Sequence, residues 1–295
     1  MERPIALPSR FRVLGELGSG ARGTVLRVLD DDHGPTPIAL KILHARSDQV
    51  RTRFPSLQKA AKNSASLVEL FAWIETSEWH GFTMAEHPGR SVVSALRGEE
   101  GDRATRLVLG QRVEQPQFEP PTPELLARAR HVFLHLARAV ECLHDAGFVH
   151  GDLRPENAVV ASANEDAEAE VTLLDLDGAR PPDTPGDGLV ATAWAAPELG
   201  QGESVFTTAC DVYSLGTILF RVLTGDVPFS GSAQDVVLRK GTVSAPPASF
   251  LVRGIPLDLD DLCGKMLERA PSRRATIADV IRVLGVAVAE SPRLA

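Results

Sequence analysis

Two hydrophobic periods run along this chain. Near the N-terminus, Thr24-Val25-Leu26-Arg27-Val28-Leu29 alternates apolar and polar as a half-buried strand does, and Pro37-Ile38-Ala39-Leu40-Lys41-Ile42-Leu43 reads as an apolar strand carrying one lysine. Farther on, Leu125, Leu126, Val132, Phe133, Leu136, Val140 and Leu143 recur at helical spacing, which predicts a helix over 124–146. Between them, Pro55 predicts a short or late-starting helix before the strand around Leu70. The pattern lapses from Gly98 to Pro123, a charged stretch with Pro116, Pro120, Pro121 and Pro123, which reads as an extended surface insertion. Asn164 to Glu170 is acidic and reads as a solvated hairpin tip.

Chemistry enters at the turns between these elements. Leu17-Gly18-Ser19-Gly20-Ala21-Arg22-Gly23-Thr24-Val25 is a strand, a glycine turn and a second strand. Alone, such a spacing is a weak signal and fits a flexible hairpin. The strand after the third glycine, where a dinucleotide fold would have a helix, favours backbone N–H groups laid against a triphosphate. Lys41, following that turn on its apolar strand, is then better read as a phosphate ligand than as a surface residue. The run His150-Gly151-Asp152-Leu153-Arg154-Pro155-Glu156-Asn157 follows the long helix and precedes the apolar pair Val159-Val160. It places an aspartate able to accept a hydroxyl proton five positions before an asparagine able to hold a metal ion, a pairing that phosphoryl transfer requires.

That run resembles the protein-kinase catalytic loop at every position but two. Further segments resemble the same family in order. They are Ala191-Thr192-Ala193-Trp194-Ala195-Ala196-Pro197-Glu198, Cys210-Asp211-Val212-Tyr213-Ser214-Leu215-Gly216, Leu223-Thr224-Gly225-Asp226-Val227-Pro228-Phe229 and Ala270-Pro271-Ser272-Arg273-Arg274-Ala275-Thr276. From about Phe11 to Gly285 the chain is similar to the eukaryotic-like, bacterial-type Ser/Thr protein kinase family, as a weakly active or degenerate member.

The resemblance implies an α+β, two-lobed fold with a small β-rich N-lobe and a larger helical C-lobe. Its expected parts are an extension (1–10), the N-lobe and hinge (11–87), the C-lobe (88–288, with the 98–123 insertion) and a tail (289–295). It implies ATP and Mg²⁺ as cofactors. Nucleotide contacts would come from Leu17, Gly18, Ser19, Gly20, Ala21, Arg22, Gly23, Val25, Ala39 and Lys41, from Met84 as gatekeeper, and from the backbones of Ala85 and His87. Asp152, Lys41 and Arg154 would carry catalysis, and Asn157 and Asp175 would bind the metal. Glu198 and Arg274 would form a buried ion pair, Asp211 would accept hydrogen bonds from the catalytic-loop backbone, and Thr192 would stand beside the catalytic aspartate.

Four departures from the family pattern matter. Gly151 stands where the family has an arginine that binds a phosphorylated activation loop, so activity is expected to be independent of such phosphorylation. Arg154 replaces a lysine. Asp177 occupies the glycine position of the metal-binding triplet, and Ala179-Arg180 sets the register that makes Asp175 the ligand. Between Val50 and Val68 there is no acidic residue to orient Lys41; Gln58 is the nearest polar candidate, and Glu69 is expected to point away. A protein Ser/Thr kinase of weak or partner-dependent activity is thus expected, with a nucleotide-binding pseudokinase or signalling scaffold as the alternative. The Ala-Pro-Glu segment, Asp211 and Arg274 argue against a small-molecule phosphotransferase.

Bulk properties narrow the partners. A net charge of -8 argues against nucleic acid; the resemblance implies ATP and a protein substrate or signalling partner. Cys142, Cys210 and Cys263 form no C-x-x-C pair and fit a reducing cytoplasm. No apolar run is long enough for a membrane span. His131, His135 and His144 are too spread for one metal site, and the Lys-poor, Ala/Arg/Pro-rich usage fits a high-GC bacterial source.

Overall fold

The computed structural model describes residues 6–45, 47–98, 119–161, 169–186, 193–200 and 204–290, the last four without their side chains. Residues 99–118 of the expected insertion, 164–168 of the acidic tip, Thr192, and the outer parts of both termini lie outside these. The chain divides into two compact units, Met1–Pro88 and Gly89–Ala295.

The first unit is a five-stranded antiparallel sheet with one helix. Its strands are β1 (Phe11–Gly20), β2 (Gly23–Asp30), β3 (Gly34–Leu43), β4 (Leu70–Glu75) and β5 (His80–Met84), in the order β1-β2-β3-β5-β4. Phe11, Val28, Ile38, Leu40, Ile42, Ile74 and Trp79 form a buried apolar cluster. Helix α1 (Asp48–Lys62) is longer than Pro55 predicts. Pro55 costs one backbone hydrogen bond and strains the preceding turn. Against that, Ser47 caps the start by accepting from the Val50 N–H, and Val50, Phe54, Leu57, Ala60 and Ala61 are buried. Phe54 also meets the rings of Trp73 and Phe82, each at 5.7 Å between centroids. Tertiary packing outweighs the local penalty.

The second unit is mainly helical. It holds a small sheet, β6 (Arg90–Ser91), β7 (Ala158–Ala161) and β8 (Glu170–Leu173), and helices α2 (Val92–Arg97) and α3 (Pro123–Asp145) between β6 and β7, then α4 (Thr208–Thr224), α5 (Ala233–Thr242), α6 (Ala248–Leu251), α7 (Leu257–Met266) and α8 (Ile277–Glu290) after β8. Thr122 caps α3 by accepting from the Leu125 N–H, and Pro123 takes the first turn, where its missing N–H costs nothing. Every residue of α4 from Cys210 to Thr224 is buried, as expected of a helix surrounded by protein. The hydroxyls of Ser214, Thr217 and Thr224 donate to carbonyls one turn back, so the buried helix leaves these polar groups satisfied. At Gly216 a Cβ would lie 2.7 Å from that of Met266, so the glycine lets α4 and α7 approach closely. No helix among the described residues is long and apolar enough to cross a membrane.

Candidate functional site

The glycine turn is a tight hairpin. Gly18 stands opposite Val25, Ser19 opposite Thr24 and Gly20 opposite Gly23, with Ala21 and Arg22 at the tip. The three glycines differ in what requires them. A Cβ at Gly23 would collide with the Ile42 carbonyl oxygen, so β2 and β3 pack too closely for any side chain there. At Gly18 and Gly20 a Cβ would meet nothing within 4 Å, and neither has a positive φ. The fold therefore demands only the third glycine. The Ser19 hydroxyl lies 3.0 Å from that of Thr24, which lies 3.2 Å from His44 Nε2. His44 was not singled out by the motif; its place three residues after Lys41 was the only available signal.

In the same unit, Val25 pairs with Lys41, Lys41 with Phe82 and Ala39 with Met84, so these residues share neighbouring strands. Lys41 is buried and Leu17 is half exposed. The Ala85 N–H donates to the Glu69 carbonyl, so an adenine contact from Ala85 falls to its own carbonyl. Glu86, between Ala85 and His87, pairs with Arg27 at 2.8 Å. Glu69 itself is exposed, as its flanking residues suggest. Gln58 Nε2 donates to the carbonyls of Leu70 (3.0 Å) and Phe71 (2.6 Å). β4 is an edge strand, and α1 uses this amide to satisfy it.

The catalytic-loop run lies in the second unit, held by one carboxylate. Asp211, buried in the first turn of α4, accepts from the N–H groups of His150 and Gly151 at 2.8 Å each and from His144 Nε2 at 2.9 Å. His150 is fully buried; its Nε2 donates to the Leu174 carbonyl at 2.9 Å and its Nδ1 accepts from the Asp152 N–H at 3.3 Å. A carbonyl can only accept, so the network assigns the proton to Nε2. Asn157 Nδ2 donates to the Asp152 carbonyl at 2.8 Å, and the Asn157 carbonyl accepts from the Leu174 N–H at 2.7 Å. Asp152, Asn157 and the residue before Asp175 are thereby tied into one network. Arg154 pairs with Glu156 at 2.7 Å on the surface.

Asp175 has left-handed backbone angles (φ 63°, ψ 47°), and Leu176–Gly178 form a 3₁₀ turn. The left-handed residue of the triplet is thus Asp175, whereas Asp177 has an ordinary φ and is buried. An aspartate in the glycine position is consequently tolerated. Gly151 has φ 72°, a conformation that a non-glycine residue adopts at a cost, and a Cβ there would lie 3.1 Å from the Phe206 ring. Glu198 and Arg274 form the expected ion pair at 2.8 Å, with the arginine side chain fully buried and also bonded to the carbonyls of Glu268, Arg269 and Ala209. Lys240 on α5 is buried and donates to the carbonyls of Ala193 (2.7 Å) and Ala195 (2.6 Å). Burial lowers its pKa to about 7, and Glu198 opposes that shift. Neither Phe206 nor Lys240 carried a signal in the sequence, because their contacts are with residues distant along the chain.

A family model described as protein kinase domain matches residues 11–283. Among curated proteins, the serine/threonine-protein kinase PknL of Mycobacterium tuberculosis (strain ATCC 25618 / H37Rv) is 28% identical over 274 residues, covering 91% of this chain and 63% of its own. The serine/threonine-protein kinase pkn2 of Myxococcus xanthus is 29% identical over 285 residues, 92% of this chain and 31% of its own. PknB of Mycobacterium tuberculosis (strain ATCC 25177 / H37Ra), also named a serine/threonine-protein kinase, is 31% identical over 310 residues, 100% of this chain and 46% of its own. The chain therefore spans 63% or less of the length of these relatives.

Proposed function

Because this chain belongs to the protein kinase domain family, we propose that it transfers the γ-phosphate of ATP to a Ser or Thr hydroxyl of a protein, with weak or partner-dependent activity. The observation that carries the reading is the network in which Asp211 pins the catalytic loop while Asn157 links Asp152 to the strand leading to Asp175. Gly18 and Gly20, glycines that the fold does not need, suit a backbone laid against phosphate oxygens. Lys41 would hold the phosphates, and the Ala85 carbonyl would accept from the adenine amine. Asp152 would orient the substrate hydroxyl and take its proton. Arg154 would balance charge on the transferred group after exchanging Glu156 for phosphate.

The donor set fits Mg²⁺. Asn157 and Asp175 offer hard oxygen atoms, the donor type that Mg²⁺ takes. Two protein ligands completed by phosphate oxygens and water is how Mg²⁺ is commonly held beside a nucleotide. When bound, the ion neutralises phosphate charge. The left-handed backbone at Asp175 is an energetic outlier of the kind that collects at working sites, and it supports the assignment of that residue.

One observation favours a second reading, a nucleotide-binding pseudokinase. Gln58 spends its amide on β4 and so is not the group that orients Lys41. The deciding experiment is a Mg·ATP titration followed by melting, on wild type and Asp175→Ala, with a phosphoryl-transfer assay on wild type and Asp152→Asn. At 100 times Kd the ligand should add about 2.7 kcal/mol to folding free energy. Asp175→Ala should lose the magnesium-dependent part. Asp152→Asn should keep binding and lose about 100-fold or more in rate. Silence in both melting and calorimetry at millimolar Mg·ATP would overturn nucleotide binding, whereas binding without transfer would select the pseudokinase.

A further inference from the structure

Three residues far apart in sequence meet beside the catalytic loop: Gly151, Arg180 and Phe206. The Phe206 ring is 1% exposed. The Arg180 guanidinium lies over it, 4.0 Å from the ring centroid, and Arg180 Nε donates to the Gly178 carbonyl at 3.0 Å. The Arg180 backbone is bridged to Val149, donating to it at 2.9 Å and accepting from it at 2.7 Å. Gly151 backs onto the same ring, and any side chain there would press on the ring at 3.1 Å and near Arg180 Nε at 3.5 Å. The Phe206 backbone is engaged as well. Its N–H donates to the Thr184 carbonyl at 2.9 Å, its carbonyl accepts from the Asp183 N–H at 2.8 Å, and the Gly186 N–H donates to the Ser204 carbonyl at 2.7 Å. Residues 183–186 thus run antiparallel to 204–206.

We propose that Phe206 is a positioning residue, whose ring, packed against Gly151 and Arg180, fixes the start of the segment after Asp175 to the catalytic loop without any phosphorylated residue. A cation over an aromatic face is attracted to it, and burial strengthens that attraction. The ring takes the room that an arginine at 151 would need, so the glycine and the phenylalanine form a complementary pair. Asp211 holds the Gly151 N–H through its carboxylate, and the ring closes the other contact. The loop bearing Asp152 and the segment bearing Asp175 are then held together by this packing and by the hydrogen bonds of Asp211, Val149 and Arg180, with no phosphate among the partners. Thr184, a hydroxyl in this stretch, is used locally, donating to the Pro181 carbonyl at 2.6 Å.

The proposal deepens the kinase reading and rests on it only for its rate measurement; amide hydrogen exchange reads it independently. The test uses the full chain as wild type, Phe206→Leu, Arg180→Met and Arg180→Lys. Phe206→Leu keeps an apolar side chain and removes the aromatic face. It and Arg180→Met should each speed exchange at residues 149–152 and 183–186 by about 10-fold or more, with α3 and α4 unchanged. Arg180→Lys, which keeps a cation over the ring, should retain most of the protection. In phosphoryl transfer, kcat should fall by about 10- to 100-fold in the first two variants while KM for ATP stays within about 2-fold, because misplacement affects the reacting geometry rather than nucleotide binding. Phosphatase treatment of wild type should change neither protection nor rate. Unchanged exchange in Phe206→Leu and Arg180→Met, or loss of protection on dephosphorylation, overturns the proposal. If Phe206→Leu does not fold, Arg180→Met decides. If wild type transfers no phosphate, the kinase reading fails while exchange still decides this one.

Discussion

Lys240 shows how much a single side chain can depend on its surroundings. Its ammonium is removed from water and faces two carbonyls, with Glu198 of the Ala-Pro-Glu segment as the charged group acting on it and the Tyr213 ring 5.4 Å away. Burial lowers its pKa from 10.5 to about 7, the reverse of a lysine that gains an exposed partner. Below about pH 7 both folded and unfolded chains carry the proton, and the folded chain bears the full desolvation cost. Between about 7 and 10.5 the unfolded chain binds more protons, so this contribution to stability rises with pH. Cys210, pushed up to about 12 by burial, acts in the opposite sense once unfolded thiols ionise. Comparison with Lys240→Met isolates the lysine. The stability difference, wild type minus variant, should move in favour of wild type between pH 6 and pH 8.5 in urea unfolding; a difference independent of pH would remove the assignment.

At the scale of elements, the glycine hairpin and α1 separate what folding requires from what a ligand requires. Gly23→Ala sets a Cβ against the β3 backbone and should destabilise the protein by about 1–3 kcal/mol through strand displacement. Gly18→Ala and Gly20→Ala meet no neighbour, so their melting temperature should match wild type while Mg·ATP affinity falls. Equal melting and equal affinity in those two variants would leave the hairpin with a structural role only. Gln58→Glu tests α1 in the same way. A carboxylate would replace a donor facing the Leu70 and Phe71 carbonyls, leaving both strand acceptors unpaired and repelled. The expected result is a loss of about 1–3 kcal/mol in urea unfolding with no gain in phosphoryl transfer. A faster variant would show that the side chain can leave β4 and orient Lys41.

Across the whole molecule, the residues assigned to nucleotide binding belong to the first unit, and those assigned to proton transfer and metal to the second. Most of these were legible in the sequence, since short spacings carry their own chemistry: Gly18 to Gly23, Lys41 on an apolar strand, and Asp152 five residues before Asn157. Periodicity likewise marked β2, β3 and α3, because alternation and 3.6-residue repeats express local burial. It failed at α1, where Pro55 argues locally for a break and the buried face of Val50, Phe54 and Leu57 holds the helix together. Tertiary structure alone decided which glycine is structural, because only the approach of Ile42 distinguishes Gly23 from Gly18 and Gly20. It alone showed that Gly151 leaves room for Phe206, that Gln58 serves β4, and that Lys240 grips the chain before Glu198. Sequence by itself pointed to the family and to the residues proposed for chemistry, since both are written in local spacing. Which groups hold those residues in place was settled by contacts between distant segments, whose partners are chosen by packing and hydrogen-bond satisfaction in the folded chain.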